Sequence, residues 1–201
     1  MRILFVCTGN LCRSPVAERL AVAWAQGSLA GSPELVAVEV SSAGTEAANG
    51  RTMAPESAQA LEALGGAAEG FRSRALTPEE IGNADLVITM TRHHRREVLR
   101  IAPRSLRRTF TLTEAADLLT LADLRGLRTM PLTARARALG QRLDAARAHR
   151  MTTDADDVVD PMGRRAAVHG ETARTIAAAL RPLSDLLFAS VRTEPVIELS
   201  A

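Results

Sequence analysis

Four apolar residues, Ile3-Leu4-Phe5-Val6, run straight into Cys7-Thr8-Gly9-Asn10-Leu11-Cys12-Arg13-Ser14-Pro15, where a helical pattern begins. A cysteine therefore stands where a strand ends, and an arginine stands where a helix starts. The loop between them can curl so that its backbone N–H groups point at one spot. Such a nest at a helix N-terminus holds a dianion without a metal. Arg13 can add two parallel hydrogen bonds to the same anion. Cys7 would lie beneath it, and the helix end, the amides and the arginine all favour negative charge on its sulfur. A sulfur nucleophile under a bound phosphate implies phosphoryl transfer to sulfur. Asn10 is expected to take the left-handed backbone conformation that asparagine tolerates better than most residues. A buried cysteine pair beside a capping Ser14 would explain Ser14-Pro15, but not the glycine and arginine spacing.

The opening stretch, Cys-x5-Arg-Ser extended as Cys-Thr-Gly-Asn-Leu-Cys-Arg-Ser-Pro, resembles the low-molecular-weight protein tyrosine phosphatase family. The resemblance implies a small doubly wound α/β domain with a four-stranded parallel sheet flanked by helices and a phosphate loop after strand 1. It implies hydrolysis of protein phosphotyrosine through a cysteinyl phosphate, with no cofactor and no metal. Cys7 is the expected nucleophile. Thr8, Gly9, Asn10, Leu11, Cys12, Arg13 and Ser14 form the expected phosphate cradle, with Ser14 donating to the Cys7 sulfur. Further segments match. Ser41-Ser42-Ala43-Gly44-Thr45 resembles the family's Ser-Ala-Gly segment, which implies that Ser42 supports Asn10. Phe71-Arg72-Ser73-Arg74 has phenylalanine where the family usually has histidine, and this would weaken the network around Asn10. Residues 84–90 match the following strand.

Phosphate-ester cleavage also needs a proton donor for the leaving oxygen. Asp154, Asp156, Asp157 and Asp160 fall in one short run. Asp160 is preferred because Pro161 stiffens the turn and biases it toward extended backbone. By itself Asp160-Pro161 reads rather as a helix-entry turn in a solvated acidic loop; the family's Asp-Pro loop before the last helix implies the acid, and beside Cys7 and Arg13 the acid is the favoured reading. Met162-Gly163 and Glu46-Ala47-Ala48 stand where the family often has aromatic walls, so Met162 and Leu11 are left to form apolar walls. Cys12 has two readings: a small residue packed behind the loop, or, as the resemblance implies, a partner for reversible disulfide formation with Cys7. Relatives that act on phosphoarginine tend to have threonine where Leu11 stands here, so Leu11 favours an aryl substrate. Arsenate reduction on the same loop needs further thiols or an external thiol, and with only two cysteines an internal relay is poorly supplied. A phosphate-binding regulatory module would not need Cys7, Arg13, Ser14 and Asp160 together.

Strand and helix patterns alternate, as expected for a parallel sheet. Strands are expected at 2–6, 36–41, 84–90 and 109–112. Helices are expected at 15–24, 55–64, 91–101, 113–121 and 168–187. One domain over 1–201 carries an insertion at about 122–153, in which 133–150 forms an extra amphipathic helix with a solvated arginine face. His93-His94 reads as part of a solvated basic helix, because neighbours in sequence do not share a helix face. Trp24 is expected to pack helix 1 on the core. The formal charge of +2 gives no reason to expect a nucleic-acid partner, although all 25 basic residues are arginine. No apolar run is long enough for a membrane. With the first strand starting at Arg2 no signal peptide is expected, and two cysteines without a disulfide framework suit a reducing cytoplasm. The sequence says nothing of oligomeric state.

Overall fold

The computed structural model describes residues 1–151, 153 and 156–189. Its centre is a four-stranded sheet in the order β2-β1-β3-β4, formed by β1 (Arg2–Cys7), β2 (Glu39–Gly44), β3 (Leu86–Thr89) and β4 (Thr109–Thr111). All three pairings are parallel. The helices are α1 (Arg13–Ser28), α2 (Pro55–Glu62), α3 (Pro78–Asn83), α4 (Arg92–Ile101), α5 (Leu112–Leu118), α6 (Leu132–Ala146) and α7 (Ala166–Leu187).

β1 is central and buried on both faces, which is why it reads as an unbroken apolar run. Ile3, Phe5 and Cys7 face the larger core, shared with α1, α5, α6 and α7. Leu4 and Val6 face a smaller cluster with Ile81 of α3 and Val98 of α4. This alternation sandwiches the sheet between helices and delivers Cys7 to the C-terminal edge of its middle strand. In open α/β sheets ligands bind at that edge.

Several expectations need correction. The second strand lies at Glu39–Gly44, not 36–41. Pro33–Ala37 form a 3₁₀ turn, capped by the Ser32 side chain accepting from Glu34 N. Pairing with β1 starts at Arg2↔Glu39, so tertiary register overrides the apolar alternation around Val36, which is 92% exposed. The small residues Ser41–Gly44 are thereby inside the strand rather than after it. The short helix α3 was not anticipated, although Thr77 and Glu80 form a reciprocal capping box there.

The helix expected at 133–150 spans Leu132–Ala146, and Leu132, Ala136, Leu139, Leu143 and Ala146 are buried in the main core. Its arginine face is not wholly solvated. Arg135 is fully buried and donates to backbone carbonyls of Met130, Arg128, Leu187 and Ala189. Trp24 lies partly buried against the main core, with the Arg181 guanidinium 5.1 Å from its ring centre. Among the described residues no helix is long and apolar enough to cross a membrane.

Candidate active site

The loop from Cys7 to Arg13 joins β1 to α1. Asn10 is the only non-glycine residue with positive φ among the described residues, at 52°. The loop's outer side is taken up by the segment after β2. Thr45 N donates to Cys7 O (2.9 Å), Glu46 N to Thr8 O (3.0 Å) and Ala54 N to Leu11 O (2.9 Å). In a trans peptide the C=O and the following N–H point in opposite directions. The N–H groups of Thr8, Gly9 and Cys12 therefore point away from that segment. Gly44 makes this close approach possible, since a Cβ there would sit 2.3 Å from Thr8 O and 2.9 Å from Asn10 N.

One buried network fixes the loop from behind. Asn10 Nδ2 donates to Ser14 Oγ (3.0 Å) and Ser42 Oγ (2.8 Å), while Asn10 Oδ1 accepts from Arg74 N (2.8 Å). Ser42 Oγ donates onward to Glu18 Oε2 at 2.6 Å. Burial raises the Glu18 carboxyl above its ordinary range, and the Ser42 hydrogen bond opposes that. Ser14 Oγ, accepting from Asn10, lies 2.9 Å from Cys7 Sγ and 3.5 Å from Ala43 O, the two groups its proton can face. Phe71, standing where a histidine was usual, is buried in the main core. The Asn10 amide nevertheless has hydrogen bonds at both ends, the backbone of Arg74 serving its oxygen.

Arg13 is nearly fully buried, and its guanidinium forms a junction. Nη2 meets Asp160 Oδ2 at 2.6 Å and Thr8 Oγ1 at 3.5 Å, and Nη1 donates to Val158 O at 3.3 Å. Asp160 also accepts from Met162 N through Oδ1 (3.1 Å), closing an Asx turn over the buried Pro161. The other carboxylates of the run do different work. Asp156 pairs with Arg150, and its carbonyl accepts from Thr113 Oγ1. Asp157 accepts from Arg92 N at 2.7 Å and from the Arg92 guanidinium. Val158 N donates to Met90 O at the end of β3. These ties hold the segment so that Asp160, half exposed, hangs over Arg13. Asp154 lies outside the described residues.

Leu11 and Met162 line one cleft of about 350 Å³ beside the loop, together with Arg51, Met53, Glu56 and Arg164. Cys12 is buried behind the loop as a free thiol, and burial pushes its pKa up to about 11 against the hydrogen bond from Ser57. Ser57 also pairs with His169 Nδ1 at 2.8 Å. Among the described residues no cluster of three His, Cys, Asp or Glu side chains is arranged to hold a metal ion.

Sequence reasoning missed His94. It is 2% exposed, not solvated, and its Nε2 lies 2.8 Å from Thr8 Oγ1 inside the candidate site. The readable signal was Thr91, an N-cap after β3 whose hydroxyl accepts from His94 N and so places His94 in the first turn of α4, at the ligand-binding edge of the sheet.

The family model for low molecular weight phosphotyrosine protein phosphatase matches residues 2–125. The chain belongs to that family of cysteine-dependent protein phosphatases. Among its relatives, a protein-arginine-phosphatase of Geobacillus stearothermophilus is 38% identical over 113 residues, covering 56% of this chain and 70% of that protein. The low molecular weight protein-tyrosine-phosphatase Etp of Escherichia coli is 38% identical over 104 residues, covering 50% of this chain and 62% of Etp. A solved YwlE arginine phosphatase, a C7S mutant with a phosphorylated active-site serine, superposes with a TM-score of 0.65 at 28% identity, covering 93% of this chain and 95% of that one. The family match ends before α6 and before Asp160.

Proposed function

We propose that the chain is a phosphomonoesterase that hydrolyses protein phosphotyrosine in a reducing cytoplasm, with Cys7 as nucleophile, Arg13 as anion clamp and Asp160 as general acid and base. The observation that carries this reading is the meeting of three parts at one loop. Cys7 sulfur sits at its base beside Ser14, Arg13 closes its side, and Asp160 lies 2.6 Å from Arg13 across its mouth. In the first step the Cys7 sulfur attacks phosphorus in line, the S–P bond forms and the P–O bond to the leaving group breaks. The loop N–H groups and Arg13 hold the equatorial oxygens, and Asp160 passes a proton to the departing oxygen. In the second step water attacks phosphorus, the S–P bond breaks, and Asp160 takes the proton of that water. Before substrate binds, the Asp160 carboxylate holds the guanidinium the phosphate needs. A bound phosphate displaces it from Arg13, and the released carboxylate takes a proton from solvent and stands as the acid beside the leaving oxygen.

Relatives of comparable identity bear both arginine-phosphatase and tyrosine-phosphatase names, so substrate choice rests on the site. Apolar Leu11 and half-exposed Met162 on one cleft support a flat aryl group over a charged guanidinium. Arsenate reduction is poorly supplied, since Cys12 keeps its proton at neutral pH. The test is metal-free turnover of p-nitrophenyl phosphate and of phosphotyrosine, phosphoserine and phosphoarginine peptides. Phosphotyrosine should lead. Cys7→Ser should abolish turnover while still binding phosphate or vanadate. Undiminished turnover by Cys7→Ser would remove the nucleophile assignment, and faster phosphoarginine cleavage would overturn the substrate assignment.

A further inference from the structure

We infer that His94 is a positioning residue of the phosphate loop, holding the Thr8 hydroxyl so that Thr8 fixes the Arg13 guanidinium for the bound anion. The inference rests on the phosphatase reading above and adds to it a group contributed by a different element, the first turn of α4.

Both ring nitrogens of His94 are engaged. Nε2 meets Thr8 Oγ1 at 2.8 Å, and Nδ1 meets Thr91 Oγ1 at 2.9 Å. The Thr91 hydroxyl is itself tied to the same turn, accepting from His94 N at 3.2 Å. The ring therefore cannot rotate without breaking two contacts, and it is buried at the end of β3. Thr8 follows Cys7 directly. Its hydroxyl has one proton and two lone pairs. Arg13 Nη2 donates to it at 3.5 Å, a long contact with room to shorten. The arrangement that serves every group has the Thr8 proton on His94 Nε2 and the Nδ1 proton on Thr91, leaving Thr8 lone pairs for Arg13.

That assignment requires an uncharged imidazole. Burial lowers the pKa of His94 to about 4, Arg13 and His93 push the same way, and Asp160 and Asp157 oppose them. At neutral pH the ring can thus accept a hydrogen bond from the Thr8 hydroxyl without placing a second cation against Arg13. Without His94 the Thr8 hydroxyl is free to turn, and once a bound anion draws Asp160 away, Arg13 keeps only Val158 O as a fixed partner. Losses of alignment on this scale act on the reacting geometry more than on binding.

The experiment compares the full chain with His94→Leu, His94→Gln, Thr8→Val and the His94→Leu/Thr8→Val double variant on a phosphotyrosine peptide. His94→Leu should lower kcat roughly 10- to 100-fold with KM changed much less. His94→Gln, whose amide reaches the Nε2 position, should recover most of that loss. The double variant should be no slower than the slower single, because both substitutions cut one chain of contacts. Multiplied losses, or a wild-type kcat for His94→Leu, would overturn the inference. Since His94→Leu could also misfold, the ring nitrogens of ¹⁵N-labelled wild-type protein should be followed while inorganic phosphate is added. His94 signals should move at saturation, and unmoved signals overturn the proposal. If the wild-type chain neither turns over substrate nor binds phosphate, the phosphatase reading has failed; if it does both and the His94 variants are silent, only this inference has.

Discussion

Asn10 and Arg135 are both fully buried polar side chains that hold irregular backbone, and they hold it for different ends. Asn10 lies within the family-matched residues. Its amide gathers two hydroxyls and one backbone N–H, and each belongs to an element that shapes the loop around Cys7. Arg135 lies on α6, beyond the match. Its guanidinium gathers only backbone carbonyls, from residues just before α6 and at the end of α7. Burial pulls its pKa down, with Glu34 opposing. One side chain holds the Ser14 hydroxyl beside the Cys7 sulfur; the other replaces water for carbonyls that would otherwise lie unsatisfied. The first region is built to orient groups, and the second to close a packed layer. Asp160 is where they meet, because the second region supplies it and the first receives it.

The largest effect tests that meeting point. Asp160→Ala should slow cleavage of phosphotyrosine peptides by roughly 10²–10⁴-fold, and less for substrates with very good leaving groups, which need no proton. Asp157→Ala removes the tie to Arg92 and should cost far less. If Asp157→Ala shows the leaving-group dependence and Asp160→Ala does not, the wrong carboxylate has been assigned and the second region contributes only support.

The contrast between the two buried hubs is sharper still. Arg135→Met should lower stability by roughly 3 kcal/mol, since it leaves several buried carbonyls without a donor, yet keep kcat within about twofold for the protein that remains folded. Asn10→Ala should lower kcat by roughly 10-fold or more, through the Ser14 hydroxyl it orients. Denaturant unfolding and initial rates on the same samples decide it. A kinetic defect in Arg135→Met that survives correction for folded fraction would erase the distinction.

What was legible in the sequence follows the same line. The β1 run, Cys7, Arg13 and the turn at Asn10 sit in consecutive residues, so local chemistry announced them. Asp160 needed the stiffening proline and a partner 147 residues away in sequence, and the structure places its carboxylate on Arg13. His94 was misread because helical charge pattern says nothing of what lies at the end of the preceding strand; only the sheet order brings α4 beside Thr8. Val36 was misread for a related reason, since register with β1 rather than alternation decides where β2 begins. Arg135 shows the limit of an amphipathic reading, because an arginine among arginines gives no hint that it faces inward.

The smallest effect asks whether His94 belongs to the folded core as well as to the site. Its pKa falls from an ordinary 6.5 to about 4 on folding, chiefly through burial. Between these values the unfolded chain takes up a proton that the folded chain refuses, so stability falls as pH drops through that window and is intact above it. The loss attributable to this one group should be about 2 kcal/mol between pH 7 and pH 5. Glu18, raised by burial, works in the opposite direction as pH falls through its range. Such contributions cancel when wild type is compared with His94→Gln, which has no proton to gain. Urea unfolding of both proteins across that range should show a steeper acid loss for the wild type. Parallel curves would mean that His94 takes up its proton without strain, and the ring would then belong to the mobile rim of the loop rather than to the rigid set that Asn10 anchors.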